Sequence, residues 1–249
     1  MQNVRQALPL LRAVHGNDPT ILGEDFAGTA QLSSHWVGVI ENGRSIAVDL
    51  DPETLNLRDG DDRIERIVGD VRTATNPGKH ACDVLFVGNF SIGEIHDRAA
   101  LIEYLKHCRA RTKARGGVLC CDTYGGADAF LPVDVHRSHP HPYEPGTFIR
   151  YTWEQREADP LTGRVINALH FRVERSGTIE EEFTDAFIYD WRLWSVPELR
   201  DAMHEAGFEI TEVYSQLPDA VDDEGNAYVS PVTDPDELDD SFFVLVAAR

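Results

Sequence analysis

Lysine is almost missing from this 249-residue chain: Lys79, Lys106 and Lys113 stand beside 20 arginines, and the 23 basic residues face 43 Asp and Glu, for a formal net charge of −20. Nucleic acids and anionic membrane surfaces are gripped chiefly through Lys and Arg on phosphates, so this balance argues against both as partners. Cysteine is scarce and unpatterned. Cys82, Cys108, Cys120 and Cys121 contain no C-x-x-C pair, which removes the usual zinc and redox motifs; Cys82, Cys120 and Cys121 lie in apolar strand-like runs and read as small core residues. No run of 18 apolar residues occurs, and the first residues lack both the apolar centre and the small-residue cleavage site of a secretory signal, so the expectation is a cytoplasmic protein. No internal repeat is visible. What remains is a chain with 42% apolar and 9% aromatic residues, enough for one domain with a sizeable core.

Short β-branched runs alternate with helical patterns through the first half, the signature of a parallel sheet with right-handed crossovers. The expected strands are 20–24, 45–50, 66–69, 83–88 and 117–122. Segment 97–114 places Ala100, Leu101, Tyr104, Leu105 and Cys108 on one helical stripe and runs out at Gly116 and Gly117. From about residue 146 to 192 the pattern becomes three strands joined by turns at 159–163 and 175–177, an antiparallel meander that could form a lid over a substrate. A helix bounded by Pro197 and Gly207 follows, then strands near 209–215 and 242–248, with 216–240 expected as an acidic surface loop. Other acids gather in surface stretches at Asp59 to Asp62 and Glu180 to Glu182. The fold expected is α/β: a Rossmann-like, seven-stranded, mostly parallel sheet with helices on both faces and a meander inserted after strand five. Residues 1–249 form one domain, with 15–130 as the cofactor-binding half, about 146–192 as the lid and 193–249 as the closing helix and strands.

Ligands of an open α/β sheet lie outside the carboxyl ends of its strands. After the first strand stand Glu24, Asp25, Phe26, Ala27, Gly28, Thr29 and Ala30, small residues leading into a helix whose N-terminus offers free N–H groups. After the second stand Asp49 and Leu50, with Asp49 placed 21 residues beyond Gly28, near the roughly 20 expected between a glycine turn and a ribose-binding acid. Asp70 and Val71 follow the third strand, Asn89, Phe90 and Ser91 the fourth, and Asp122, Thr123 and Tyr124 the fifth. A glycine turn or a strand-end acid taken singly is more often only a turn or a helix cap. Five in order argue for an adenosine-type ligand.

The succession GEDFAGTAQL, IAVDLDP, IVGDV, CDVLFVGNFS and GGVLCCDTYGG resembles class I S-adenosylmethionine-dependent methyltransferases, and within them a bacterial small-molecule subgroup whose first motif reads E-D-F-C-G-T-A. The resemblance extends to Y-x-W-E-Q, Y-D-W-R-L-W-x-x-P-E-L and A-G-F later in the chain. It implies S-adenosyl-L-methionine as cofactor. Glu24 would help hold the methionine ammonium, Gly28 would give close backbone approach, Asp49 would bind the ribose, and Asp70 would accept from the adenine amine beside Val71. Asn89, Phe90 and Ser91 would face the methionine and the methyl acceptor. Phe26 and Ala30 depart from the first and third glycines of G-x-G-x-G, and Ala27 replaces the subgroup's frequent cysteine, arguing against a nucleophile there.

The implied reaction is direct methyl displacement onto an O or N atom of a small molecule, with Asn89, Tyr124 and Arg192 as candidate catalytic residues. Tyr151, Trp153, Glu154 and Trp194 complete the expected acceptor wall, Trp153 reading more readily as core. His96 stands near the proposed site but equally precedes a helix, and His136, His139 and His141 read as a solvated loop, so no metal site is expected. Two competitors stand beside this reading: an NAD(P)-dependent oxidoreductase, disfavoured because Glu24 and Asp25 would repel a pyrophosphate, and a catalytically silent cofactor-binding protein. The assembly state is open, a homodimer being allowed.

Overall fold

A computed structural model describes residues 4–57 and 60–249. Asp59, which heads one of the acidic stretches, lies outside the described residues. Helix α1 (Val4–His15) precedes β1 (Ile21–Asp25), α2 (Gln31–Val39), β2 (Arg44–Asp49), the one-turn α3 (Pro52–Leu55) and β3 (Ile64–Val68). Then come β4 (Val84–Val87), α4 (Arg98–Arg111) and β5 (Val118–Gly126), each within a few residues of its expected place. Four strands follow: β6 (Val133–Pro140), β7 (Thr147–Asp159), β8 (Arg164–Arg175) and β9 (Thr178–Arg192). The chain ends with α5 (Val196–Glu205), β10 (Thr211–Ser215), the two-residue strands β11 (Ala220–Val221) and β12 (Ala227–Tyr228), and β13 (Ser241–Ala248). Among the described residues no helix is long and apolar enough to cross a membrane.

Two units result, one of residues 1–126 with 194–249 and one of residues 127–193. The first is a seven-stranded sheet in the order β10-β13-β5-β4-β1-β2-β3, parallel throughout except that β13 runs antiparallel to both β5 and β10. Period-two alternation sends successive side chains to opposite faces and makes two cores. Leu85, Val87, Leu119, Cys121 and Val246 pack with Leu101, Tyr104, Leu105 and Cys108 of α4 and Leu199 and Met203 of α5. Val84, Phe86, Val118, Cys120 and Leu245 pack with Leu8 and Leu11 of α1 and Trp36 of α2. All four cysteines are buried and free, their thiols pushed up by burial.

Local chemistry starts and stops the helices. Asp97 caps α4 by accepting from Ala100 N at 2.9 Å, and Ser195 and Glu198 form a reciprocal capping box on α5. Gly207, with φ +99°, ends α5, a conformation that costs glycine little.

The second unit is an antiparallel sheet in the order β6-β7-β8-β9. It has four strands where the sequence suggests three, because the histidine segment is strand β6 and not a loop. Val133 pairs with Gln155 and Pro140 with Phe148. The stretch 216–240 is mostly exposed, as expected, but carries the β11–β12 ladder and a 3-10 turn at Pro235–Glu237.

Candidate functional site

The chain builds β1, β2 and β3 outward on one side, then returns to place β4 on the other side of β1. At such a reversal the loops after the two central strands diverge and leave a crevice at their carboxyl ends. The crevice is framed by Phe26–Ala30 after β1 and Gly88–Ser91 after β4.

The first loop has three left-handed residues in five: Phe26 at φ +55°, Gly28 at +52° and Ala30 at +52°. Phe26 and Ala30 therefore keep the backbone that glycine would favour, despite their side chains. Long-range bonds enforce it. Ala27 N donates to Val48 O at 2.9 Å, Ala30 N to Ala27 O at 2.9 Å, and Gly28 N to Asp49 Oδ2 at 2.7 Å. A Cβ built on Gly28 would meet no atom within 4 Å, so the space beyond this backbone is open. Thr29 completes the turn into α2. Ala30 lies at the N-cap of that helix without a capping side chain of its own.

Glu24 caps it instead. Its buried Oε2 accepts from Ser33 N at 2.8 Å and Ser33 Oγ at 2.5 Å, and Ser33 Oγ lies 2.7 Å from Ser45 Oγ, which donates to Leu22 O at 3.2 Å. Burial pushes the Glu24 carboxyl up to about 7, against the bonds from Ser33 that favour its ionised form. Proton counting along the chain agrees. With Glu24 ionised, Ser33 gives its proton to the carboxylate and Ser45 cannot serve both Ser33 and Leu22 O. With Glu24 protonated, donors run in order from Glu24 through Ser33 and Ser45 to Leu22 O.

Asp25 does not face the loop. Strand alternation turns it to the opposite side, where Arg111 Nη1 reaches its oxygens at 2.9 and 2.8 Å and Tyr104 OH donates at 2.8 Å, all fully buried. The expectation that both acids lend negative charge to the loop is corrected: the Asp25 charge is cancelled by Arg111. The helix N-terminus nonetheless offers an anion less, because Glu24 already occupies the Ser33 N–H.

Asp49 is half-buried, with Oδ2 on Gly28 N and Oδ1 on Asp51 N at 3.0 Å, leaving acceptor capacity on both oxygens. Leu50 beside it is 68% exposed, an apolar side chain held out from the strand end. Asp70 is engaged by Arg72 through N, Nε and Nη2 at 2.5 to 3.0 Å, and this guanidinium holds its carboxyl below the usual range. Asp70 and Arg72 line an open cavity of about 620 Å³ together with Tyr104, Lys106 and His107, a feature without a counterpart in the sequence motifs. Val71 is buried in the α4-side core.

After β4, Asn89 and Phe90 are both left-handed, at φ +56° and +62°. Their N–H groups converge on Asp122 of β5: Asn89 N to Oδ2 at 3.0 Å and Phe90 N to Oδ1 at 2.7 Å. Asp122 is fully buried, which pushes its carboxyl up to about 7. The Phe90 ring stacks on Phe243 at 5.5 Å and meets Tyr124 edge-on at 5.1 Å. Ser91 opens a single 3-10 turn, and His96 precedes the Asp97 cap. Tyr124 is buried to 9% exposure. Trp194 is sealed in the core with its Nε1 donating to Ile95 O at 2.9 Å, and so is no wall of a binding site. Sequence reasoning noted Asp122 at its strand end without a role and missed Phe243; an acid inside the apolar run VLCCDTY was the available signal.

Arg192 closes β9 of the second unit opposite Arg164. In that unit Tyr151 is buried and Trp153 donates to Asn167 Oδ1 at 2.7 Å, the core reading for Trp153. His136 and His139 project to opposite faces of β6, so the histidine segment cannot converge on a metal. Among the described residues Glu154, His170 and Asp185 could surround a cation, but the Arg156 guanidinium already bridges the two carboxylates.

No protein-family model and no curated protein matches the chain. Solved structures match it along nearly its full length. It is similar to DesVI of Streptomyces venezuelae, at 14% identity and TM-score 0.70 over 98% of this chain and 89% of that one. It is similar to the amino pentose methyltransferase CalS10 of Micromonospora echinaspora, solved with S-adenosylmethionine bound, at 16% identity and TM-score 0.67 over 99% and 89%. The sugar N-methyltransferase KedS8 of a Streptoalloteichus species matches at 15% identity and TM-score 0.66 over 99% and 87%. At such identities the likeness is one of architecture: the chain has the fold of S-adenosylmethionine-dependent methyltransferases.

Proposed function

We propose that this chain is a cytoplasmic enzyme that transfers a methyl group from S-adenosylmethionine to an O or N atom of a small molecule. The observation that carries the reading is the pairing of the open, left-handed Gly28 turn with Asp49 at the reversal point of a methyltransferase-like sheet. The residues present fit the cofactor. The open face of Gly28 allows close approach, Asp49 has acceptor capacity for ribose hydroxyls, and exposed Leu50 offers an apolar surface for the adenine. Glu24, once ionised, would supply negative charge near the methionine ammonium, and Asp70, shared with Arg72, is the candidate acceptor for the adenine amine, with Val71 buried in the core behind it.

The bound sulfonium supplies an activated methyl group with its leaving group attached. The protein's own work is alignment and exclusion of water. The Phe26–Thr29 turn and Asp49 would hold one end of the ligand and Asn89, Phe90 and Ser91 the other, where Phe90, Tyr124 and Phe243 form an apolar aromatic cluster. Asn89 and Tyr124 are the candidate groups of the first unit for orienting an acceptor, and Arg192 stays a candidate carboxylate contact on its chemistry alone. The dinucleotide reading is weaker, since the α2 N-terminus that would cradle a pyrophosphate holds the Glu24 carboxylate.

Calorimetry tests the reading: the wild-type chain is expected to bind S-adenosylmethionine or its demethylated product with Kd on the order of micromolar, about −8 kcal/mol, and Asp49→Ala to lose it. Absence of binding by the wild type overturns the proposal. A homodimer is the assembly we favour, because β9 forms a long edge with Phe183, Phe187 and Ile188 each at least 50% exposed, an edge that natural sheets ordinarily cover.

A further inference from the structure

Most features outside the proposed site explain themselves. The Asp25–Arg111–Tyr104 cluster is an internal ion pair, the Glu154–His170–Asp185 group is bridged by Arg156, and acids of 219–240 such as Asp222 and Asp234 accept from main-chain N–H groups of their own loop. Asp122 differs. It is a carboxyl group buried within β5, one residue beyond the last pairing of that strand with β4, with one oxygen on each of two consecutive main-chain N–H groups of a neighbouring loop.

We infer that Asp122 is a positioning residue for the methyl-transfer site, holding the Asn89–Phe90 loop in a left-handed conformation that the loop would not keep alone. The inference rests on the functional reading above and adds a residue to it. Two successive non-glycine residues hold φ of +56° and +62°, a region that Asn89 enters at little cost but that the Cβ of Phe90 disfavours. Converging N–H groups of this kind form a concavity that elsewhere receives an anion. Here the protein supplies the anion from β5. The clamp sets where the Asn89 side chain projects and lets the Phe90 ring stack on Phe243, so both groups at the acceptor end inherit their placement from Asp122. Asparagine cannot replace it. With a single carbonyl oxygen it accepts from one N–H and turns its own NH2 toward the other.

Amide hydrogen exchange, resolved by residue, and calorimetry with S-adenosylhomocysteine test this on the full chain. In the wild type the amides of Asn89 and Phe90 should be protected at least about a hundredfold although Asn89 is exposed. Lack of that protection overturns the clamp without need of any variant. In Asp122→Asn the two amides should exchange about tenfold faster or more, those of Val84–Val87 should keep wild-type rates, and the Kd for S-adenosylhomocysteine should rise about tenfold. Unchanged exchange at 89 and 90 refutes the clamp. Faster exchange spreading to Val84–Val87 makes Asp122 a general structural residue and refutes its positioning role, as does an unchanged Kd beside a loosened loop. Failure of the wild type itself to bind S-adenosylhomocysteine, with the exchange pattern intact, instead removes the methyltransferase reading and with it the functional assignment.

Discussion

The Glu24 carboxyl allows the sharpest quantitative test. Its ordinary value of 4.5 rises to about 7 in the fold, and each unit corresponds to about 1.4 kcal/mol, so the proton is held more tightly in the folded state by about 3 kcal/mol. The direction follows from which state binds the proton better. Below pH 4.5 both states are protonated and this stabilisation is fully present; as pH rises through 7 the folded state must ionise a buried group and the stabilisation is lost. Glutamine at this position stays neutral at every pH, as the protonated acid does, but both Ser33 bonds end on Glu24 Oε2, so its amide must turn to set Oε1 on Ser33 N and Nε2 on Ser33 Oγ, a pH-independent cost. The stability of Glu24→Gln relative to the wild type should therefore rise by about 3 kcal/mol between pH 4.5 and pH 8. Urea denaturation at both pH values measures this. Asp122 adds a slope of the same sign, and His15 and His107, lowered by burial, add slopes of the opposite sign, but all three are common to both proteins and cancel in the difference. Parallel stability curves for the two proteins would refute the assignment. A cationic ligand adds a second readout. An ammonium near Glu24 favours its ionised form, so binding at pH 6 should release a proton and give buffer-dependent heats that Glu24→Gln abolishes.

Other consequences are smaller or simpler. Arg111→Met strands the Asp25 carboxylate in the core with Tyr104 alone and should cost about 3 to 5 kcal/mol in urea unfolding, with Asp25→Asn restoring most of it in the double variant; a cost under about 1 kcal/mol would contradict the buried pair. Ala30→Gly trades relief of a left-handed alanine, roughly 1 to 2 kcal/mol, against a buried methyl of about 0.8 kcal/mol, so it should lie within about 1 kcal/mol of wild type while Ala30→Val loses more than about 2 kcal/mol. If valine is tolerated as well as glycine, the loop is not held as described. Sedimentation equilibrium should report a dimer that Phe187→Lys converts to monomer; a monomeric wild type ends the assembly proposal.

The sheet was legible because its signals are local. Buried parallel strands write continuous apolar runs, and the helical stripe of Leu101, Tyr104, Leu105 and Cys108 repeats at the helical period. Strand β6 was illegible for a matching reason. It is an edge strand exposed along its length, so HRSHP carries no alternation, and its pairing with β7 is a contact that no local pattern encodes. The Phe26 and Ala30 conformations were likewise hidden, since propensity argues against them and bonds from Val48 and Asp49 override it. The Asp25 error was avoidable: neighbours on a strand face opposite ways, so Glu24 and Asp25 could never both have served one loop.

Those placements also change what the acid excess means. Glu24 and Asp49 stand at the ends of β1 and β2 and Asp122 where β5 leaves its pairing with β4, and each accepts main-chain N–H groups of the α2 start or the loops beside the crevice. Helix and loop N–H groups at that end of a parallel sheet would otherwise draw an anionic ligand. By filling them with its own carboxyl groups the protein removes the preference for an anion, spending the available donors internally. A ligand bearing both a sulfonium and an ammonium then meets Asp49 and a Glu24 that ionises in response to it, whereas a pyrophosphate meets donors already taken. The chemistry that separates the methyl-transfer reading from the dinucleotide one thus lies in which groups hold the glycine turn, not in the turn itself.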